Sequence, residues 1–141
     1  MTSEFNLKKK GLKLCSKEPL TGYLRDGYCR SINGDYGVHT VCAKMDSDFL
    51  DYTSSQGNDL SSVVKPGQNW CLCQNRWEQA YQAGKSPEVI IDSTNFVTQE
   101  KIKKHILSQS KKKERKKKKK VGVRLSKKSQ KNTNLSIKRY K

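Results

Sequence analysis

Gly37-Val38-His39-Thr40-Val41-Cys42-Ala43 is the stretch that decides the fold: it carries no formal charge, and Val38, Thr40 and Val41 are β-branched. Branching at Cβ crowds a helical turn but suits a pleated surface, so the run predicts a buried strand. Working outward, Trp70-Cys71-Leu72-Cys73 reads as a second short strand, and Glu88-Val89-Ile90-Ile91-Asp92, introduced by Pro87, as a third. Helix signals lie between them. Asp46 or Ser47 can cap a helix with Asp48 in its first turn, Phe49, Leu50 and Thr53 as its inner stripe, and Gly57 as its terminator. Asn75 followed by Glu78 is a variant capping box, with Trp77, Ala80 and Tyr81 on one face and Gly84 as the stop. Thr98 can cap a final helix in which Ile102 and Ile106 share a face. Upstream, Gly22, Gly27, Gly34 and Gly37 punctuate short strands and turns. Short strands interleaved with about three short helices define a small α+β domain.

The charge distribution sets the limits of that domain. The chain has 141 residues, a net charge of +17 and a hydrophobic fraction of 33%, against roughly 45–50% in an average globular chain. Residues 108–141 hold 16 Lys and Arg and one acidic residue, Glu114, for a net +15. Residues 1–107 hold 14 basic and 12 acidic residues, for a net +2. The reading is therefore a flexible lead-in over 1–13, a folded body over 14–107 and a Lys-rich tail over 108–141. Repulsion between like charges, with few apolar side chains to offset chain entropy, predicts that the tail is disordered when free.

No run approaches the roughly 18 apolar residues of a membrane-spanning helix. The first residues lack the apolar core of a secretory leader. The expectation is an intracellular protein of the cytoplasm or nucleus, with its five cysteines kept reduced or bound to metal.

Several blocks of the body occur in a specific order: Thr21-Gly22-Tyr23-Leu24-Arg25-Asp26-Gly27-Tyr28-Cys29, His39-Thr40-Val41-Cys42-Ala43, Gly57-Asn58-Asp59-Leu60, and Pro66-Gly67-Gln68-Asn69-Trp70-Cys71-Leu72-Cys73, then Arg76-Trp77 and Ala83-Gly84. In this the chain from about Cys15 to His105 resembles the family of domain of unknown function (DUF) 2237. The resemblance implies a compact cytosolic domain and no assigned reaction. Tyr28 stands where many members have a second Cys, and Asn95 where members often have His.

Two constellations in the body could carry chemistry. Cys29, Cys42, Cys71 and Cys73 are the candidate ligands of a structural zinc, which needs four soft ligands at about 2.0–2.3 Å. In a regular strand Cys71 and Cys73 share a face opposite Trp70 and Leu72, while His39 and Cys42, three apart, face opposite sides. The competing readings are buried reduced thiols, a disulfide or thiol switch, and a Cys nucleophile with His39 as its base. The odd cysteine count leaves at least one thiol unpaired. The polar set Arg25, Asp26, His39, Asn58, Asp59 and Arg76 sits beside turn glycines, where it could line a ligand pocket; the alternative is local hydrogen bonding within turns. Trp70 and Trp77 read as core. His105 reads as a charge near a helix C-terminus.

The tail gives the clearest functional signal. Lys111, Lys112, Lys113, Arg115, Lys116, Lys117, Lys118, Lys119, Lys120 and Arg124 form a polycation suited to phosphate contact by counterion release. Lysine is a point charge and does not read base edges in bidentate fashion, so binding to nucleic acid or another polyanion without sequence specificity is expected. A localisation signal is the competing role. No other cofactor and no membrane partner are indicated.

Overall fold

The computed structural model describes residues 4–133, with side chains as far as Lys116. The chain divides into two units, residues 1–106 and 107–141. The first is an α+β domain. Its elements are β1 (Val41–Lys44), α1 (Ser47–Ser55), β2 (Asn69–Leu72), α2 (Gln74–Gln82), β3 (Glu88–Val89), a 3-10 turn (Ile91–Ser93) and the start of α3 (Glu100–Thr133). The sheet is antiparallel in the order β2-β1-β3, with Val41 paired to Leu72, Cys42 to Cys71 and Ala43 to Trp70. The stretch read first as a strand is thus the central one, though it starts at Val41 rather than Gly37. The third strand is also shorter than expected, because the chain turns into the 3-10 segment at Ile91.

Alternation along β1 and β2 divides the two faces. Val41, Ala43, Trp70 and Leu72 point to one side, where Met45, Phe49, Val64, Trp77, Ala80, Ile102 and Ile106 complete the apolar core. Cys42 and Cys71 point to the other, beside Cys15, Cys29 and Ile90. No helix residue among those described belongs to this second cluster. The irregular N-terminal chain is bound to this face through the Asn69 side-chain amide to the Cys15 carbonyl and the Ser93 hydroxyl to the Leu14 carbonyl, and is braced within itself by Cys15 N–H to the Gly27 carbonyl. Two buried carboxamides extend this attachment: Asn6 donates to the Asp92 carbonyl and Asn95 to the Cys29 carbonyl.

Helix ends show which capping signals are used. Asp46 caps α1, its carboxylate accepting from Phe49 N–H at 2.8 Å. Both α1 and α2 close with the paired 6→1 and 5→2 bonds of a Schellman motif, around Gly57 and Gly84 respectively. The Asn75–Glu78 capping box is not formed. Here α2 begins at Gln74, with Cys73 at its N-cap and no side-chain cap, and the Glu78 carboxylate is engaged with His105 and Gln82. Thr98 is not a cap either, since its buried hydroxyl lies 2.8 Å from that of Thr40 and donates to the Asn95 carbonyl.

Nor does His105 sit near a helix C-terminus. The helix does not stop at Leu107: it continues through residues 108–116, the first part of the tail. Lys, Arg, Glu and Gln are good helix formers, so a turn anchored by buried Ile102 and Ile106 propagates at little cost. The last positions of the tail, 134–141, lie outside the described residues.

Gly22 offers a direct test of the N-terminal layer. Its φ is +97°, and a Cβ there would run into the Tyr28 carbonyl, whereas Gly34, at φ +94°, has open space. Gly34→Ala should cost about 1 kcal/mol for its backbone strain, and Gly22→Ala more than about 2 kcal/mol. Urea denaturation of both variants measures the difference.

Candidate functional site

The densest chemistry lies on the cysteine-bearing face of the sheet. Cys42 and Cys71 are cross-strand partners. Their N–H groups point away from each other, to the Thr94 and Thr21 hydroxyls respectively. That makes them a non-hydrogen-bonded pair, the geometry that brings cross-strand side chains closest. Each is joined to the N-terminal layer: Cys15–Cys42 and Cys29–Cys71 are disulfides with Cα separations of 5.8 and 5.4 Å, inside the usual span. All four residues are buried. The sulfurs of Cys15, Cys29 and Cys42 lie within 4.8 Å of one another, so the two disulfides form one four-sulfur cluster.

This corrects two expectations from sequence. Four of the five cysteines are oxidised rather than reduced, which removes the argument for a reducing compartment. The candidate metal set of Cys29, Cys42, Cys71 and Cys73 is also divided, with three of them in the cluster and Cys73 outside it. Strand β2 ends at Leu72, so Cys73 leaves the alternation and becomes the N-cap of α2 as the free thiol among the described residues. Cys15 takes its place in the cluster. Sequence reasoning passed over Cys15 because it lies at the edge of the polar lead-in, in a segment without regular structure. Its usable signal was parity: four of five cysteines can pair, and Cys15 is needed as soon as Cys73 is set aside.

The polar constellation separates into three places. His39 Nδ1 lies 2.7 Å from Asp35 Oδ1, and Asp35 Oδ2 accepts the His39 backbone N–H. The Asp35 side chain is 3% exposed and that of His39 39%, so a buried carboxylate orients a half-exposed imidazole. Asp35 was not singled out from sequence, although it stands four residues before His39 in the same Gly-rich turn. At the second place, Arg25 donates to the Gly22 carbonyl and lies over the Trp70 ring at 5.1 Å, while Asp26 pairs with Arg30 at 2.6 Å. Burial opposes ionisation of Asp26, but the Arg30 hydrogen bond and the Tyr28 N–H outweigh it and hold the carboxyl below its ordinary range. The third place is the end of α1. Asn58 donates to the Thr53 hydroxyl, Asp59 accepts from Ser61 N–H, and Arg76 donates to the Gln56 carbonyl. No described hydrogen bond joins any two of the six residues.

On the tail, Lys111, Lys112, Lys113, Arg115 and Lys116 are exposed. The side chains of Lys117, Lys118, Lys119, Lys120 and Arg124 lie outside the described residues. No helix among the described residues is long and apolar enough to cross a membrane.

The model of one protein family, described as an uncharacterised protein conserved in bacteria (DUF2237), matches residues 5–111. No curated protein matches the chain.

Two outcomes follow from this geometry. The disulfides close loops with sequence separations of 27 and 42, and constraining the unfolded chain this way is worth about 3–4 kcal/mol apiece, less than additively because the loops overlap. Under oxidising conditions Cys15→Ser should therefore lose about 3 kcal/mol, and Cys73→Ser about 0.5 kcal/mol or less, by chemical denaturation. The second outcome concerns pH. A carboxyl with a depressed folded pKa stabilises fully above its unfolded value, about 3.9, and that stability is lost as pH falls through the folded value. The difference in melting temperature between the native protein and Asp26→Asn should be level from neutrality to about pH 4, then shrink.

Proposed function

The chain belongs to the DUF2237 family, whose description names no reaction, and on that premise we propose that it is a non-enzymatic accessory protein that binds nucleic acid or another polyanion through its Lys-rich tail. The observation that carries the reading is the segregation of charge: net +15 over residues 108–141 against +2 over residues 1–107. A near-neutral body has little long-range attraction for phosphate. The tail concentrates cations that release the polyanion's condensed counterions when they bind. Lysine predominance favours contact with backbone phosphates over base edges, so sequence preference is expected to be weak. Exposure of Lys111, Lys112, Lys113, Arg115 and Lys116 supports the reading.

A second reading has its own support. The four-sulfur cluster and the His39–Asp35 pair suit a thiol- or metal-dependent domain, or a small-ligand site near Arg25, His39, Cys71 and Cys73, with the tail as a localisation signal. Two features weigh against a single compact site: Cys73 stands outside the cluster, and Arg25 and His39 each have local partners.

Truncation after Leu107 separates the readings. The full chain should bind duplex DNA or RNA at low salt, and the truncated chain should lose that binding. Log affinity of the full chain should fall linearly with log salt at about −0.9 per phosphate neutralised. If about six phosphates are contacted, affinity drops roughly a thousandfold between about 50 and 200 mM salt. Undiminished binding by the truncated chain, or a flat salt response, would exclude the tail as the binding element.

A further inference from the structure

We propose that the Cys15, Cys29, Cys42 and Cys71 cluster is a tetrathiolate metal site, created when both disulfides are reduced and suited to zinc. The inference rests on the second reading above and is independent of the tail.

The argument begins with convergence. Two disulfides that served only as staples could lie anywhere in the fold. Here the four cysteines come from four separate stretches, two in the irregular layer and two on adjacent strands, and pack as a single buried group. Three of the sulfurs, those of Cys15, Cys29 and Cys42, lie within 4.8 Å of one another; Cys71 stands outside that closest group but is bonded to Cys29 and packs in the same buried cluster. A tetrahedral zinc at about 2.3 Å from each sulfur places neighbouring sulfurs about 3.8 Å apart. Reduction lets each bonded pair open to that distance. The non-bonded sulfurs among Cys15, Cys29 and Cys42 need close by only about 1 Å at most. The backbones of Cys42 and Cys71 are already fixed by buried bonds to Thr94 and Thr21. Two ligands therefore stay in place on the sheet, and the two on the N-terminal layer adjust.

The donor set selects the ion. Four thiolates in a closed, buried environment suit a borderline-soft ion with tetrahedral preference and leave no open position, as in structural zinc sites. In the oxidised form the sulfurs carry no thiolate charge and offer a poor site. The steps balance. A dithiol reductant, two equivalents, passes two electrons and two protons to each disulfide, leaves as cyclic disulfide and yields four thiols. Zinc then displaces four protons as four Zn–S bonds form. Metal uptake is thus coupled to reduction and favoured by rising pH.

The test uses the full chain, reduced anaerobically with a phosphine and titrated with zinc or cobalt(II) alone. The expected result is a single equivalent bound to the reduced protein and none to the oxidised protein. Cobalt should show the thiolate charge-transfer and intense visible bands of tetrahedral sulfur ligation. Cys73→Ser should bind as the native chain does, while Cys42→Ser and Cys15→Ser should lose the tight equivalent. Should reduction unfold the metal-free chain, zinc must restore its circular dichroism. The proposal is overturned by a reduced chain that takes up no metal, by a cobalt spectrum without thiolate bands, by equal uptake in the oxidised form, or by loss of binding in Cys73→Ser. DNA binding measured on the same samples reports on the tail separately.

Discussion

The cross-strand pairing of Cys42 with Cys71 is the constraint on which the rest of this domain depends. One face of a small sheet is closed conventionally, by helices carrying Phe49, Trp77 and Ile102. The other is closed by chain with no regular structure, which has no repeating hydrogen-bond ladder of its own. Such a layer stays in place only if its backbone polar groups find fixed partners and its attachment outweighs the entropy of ordering it. The paired cysteines supply two covalent anchors on adjacent strands. Asn6, Asn95, Thr21 and Thr94 supply the polar ones, each buried and each bonded across the layer boundary or within the turn that forms it.

Much of this order was legible in the sequence, and what was missed has identifiable physical causes. Alternation within Trp70-Cys71-Leu72 gave the two faces correctly, because a strand's side-chain period is fixed by its backbone. It failed one residue later, at Cys73, because the alternation says nothing about where a strand stops. Helix ends followed their local chemistry where no tertiary partner competed, as at Asp46 and Gly57. They departed from it at Asn75 and Thr98. Glu78 is drawn to His105, and Thr98 to Thr40, and those partners lie 27 and 58 residues away in the chain. The His39–Asp35 pair was half visible, since the imidazole was noted and its carboxylate was not. The disulfide connectivity could not be read at all. Spacing alone does not choose among pairings, and both partners from the N-terminal layer sit in segments whose path is set by turns.

Cross-chain packing also explains why the aromatic residues are core rather than ligand platforms. Trp77 stacks on Tyr81 at 5.2 Å and Tyr81 on His105 at 4.5 Å, while the indole N–H of Trp77 donates to the Pro87 carbonyl. This column joins α2 to the first turns of α3. Lys103 ties the first turn of α3 to the segment before it, its ammonium lying 3.6 Å from the centre of the Phe96 ring and donating to the Phe96 carbonyl. The domain thus holds the start of its last helix by several kinds of contact, immediately before the cationic stretch begins.

The hydrogen bond from Cys71 N–H to the Thr21 hydroxyl has a consequence for assembly. Outer strands ordinarily present unpaired amides that invite another polypeptide to add on, which is a common route to fibrils and exchanged dimers. Here the amide at the middle of one margin is occupied by a threonine, and the strand at the opposite margin is two residues long. Among the described residues, little of the ladder at either border is open to another strand, which disfavours sheet extension between copies of the domain.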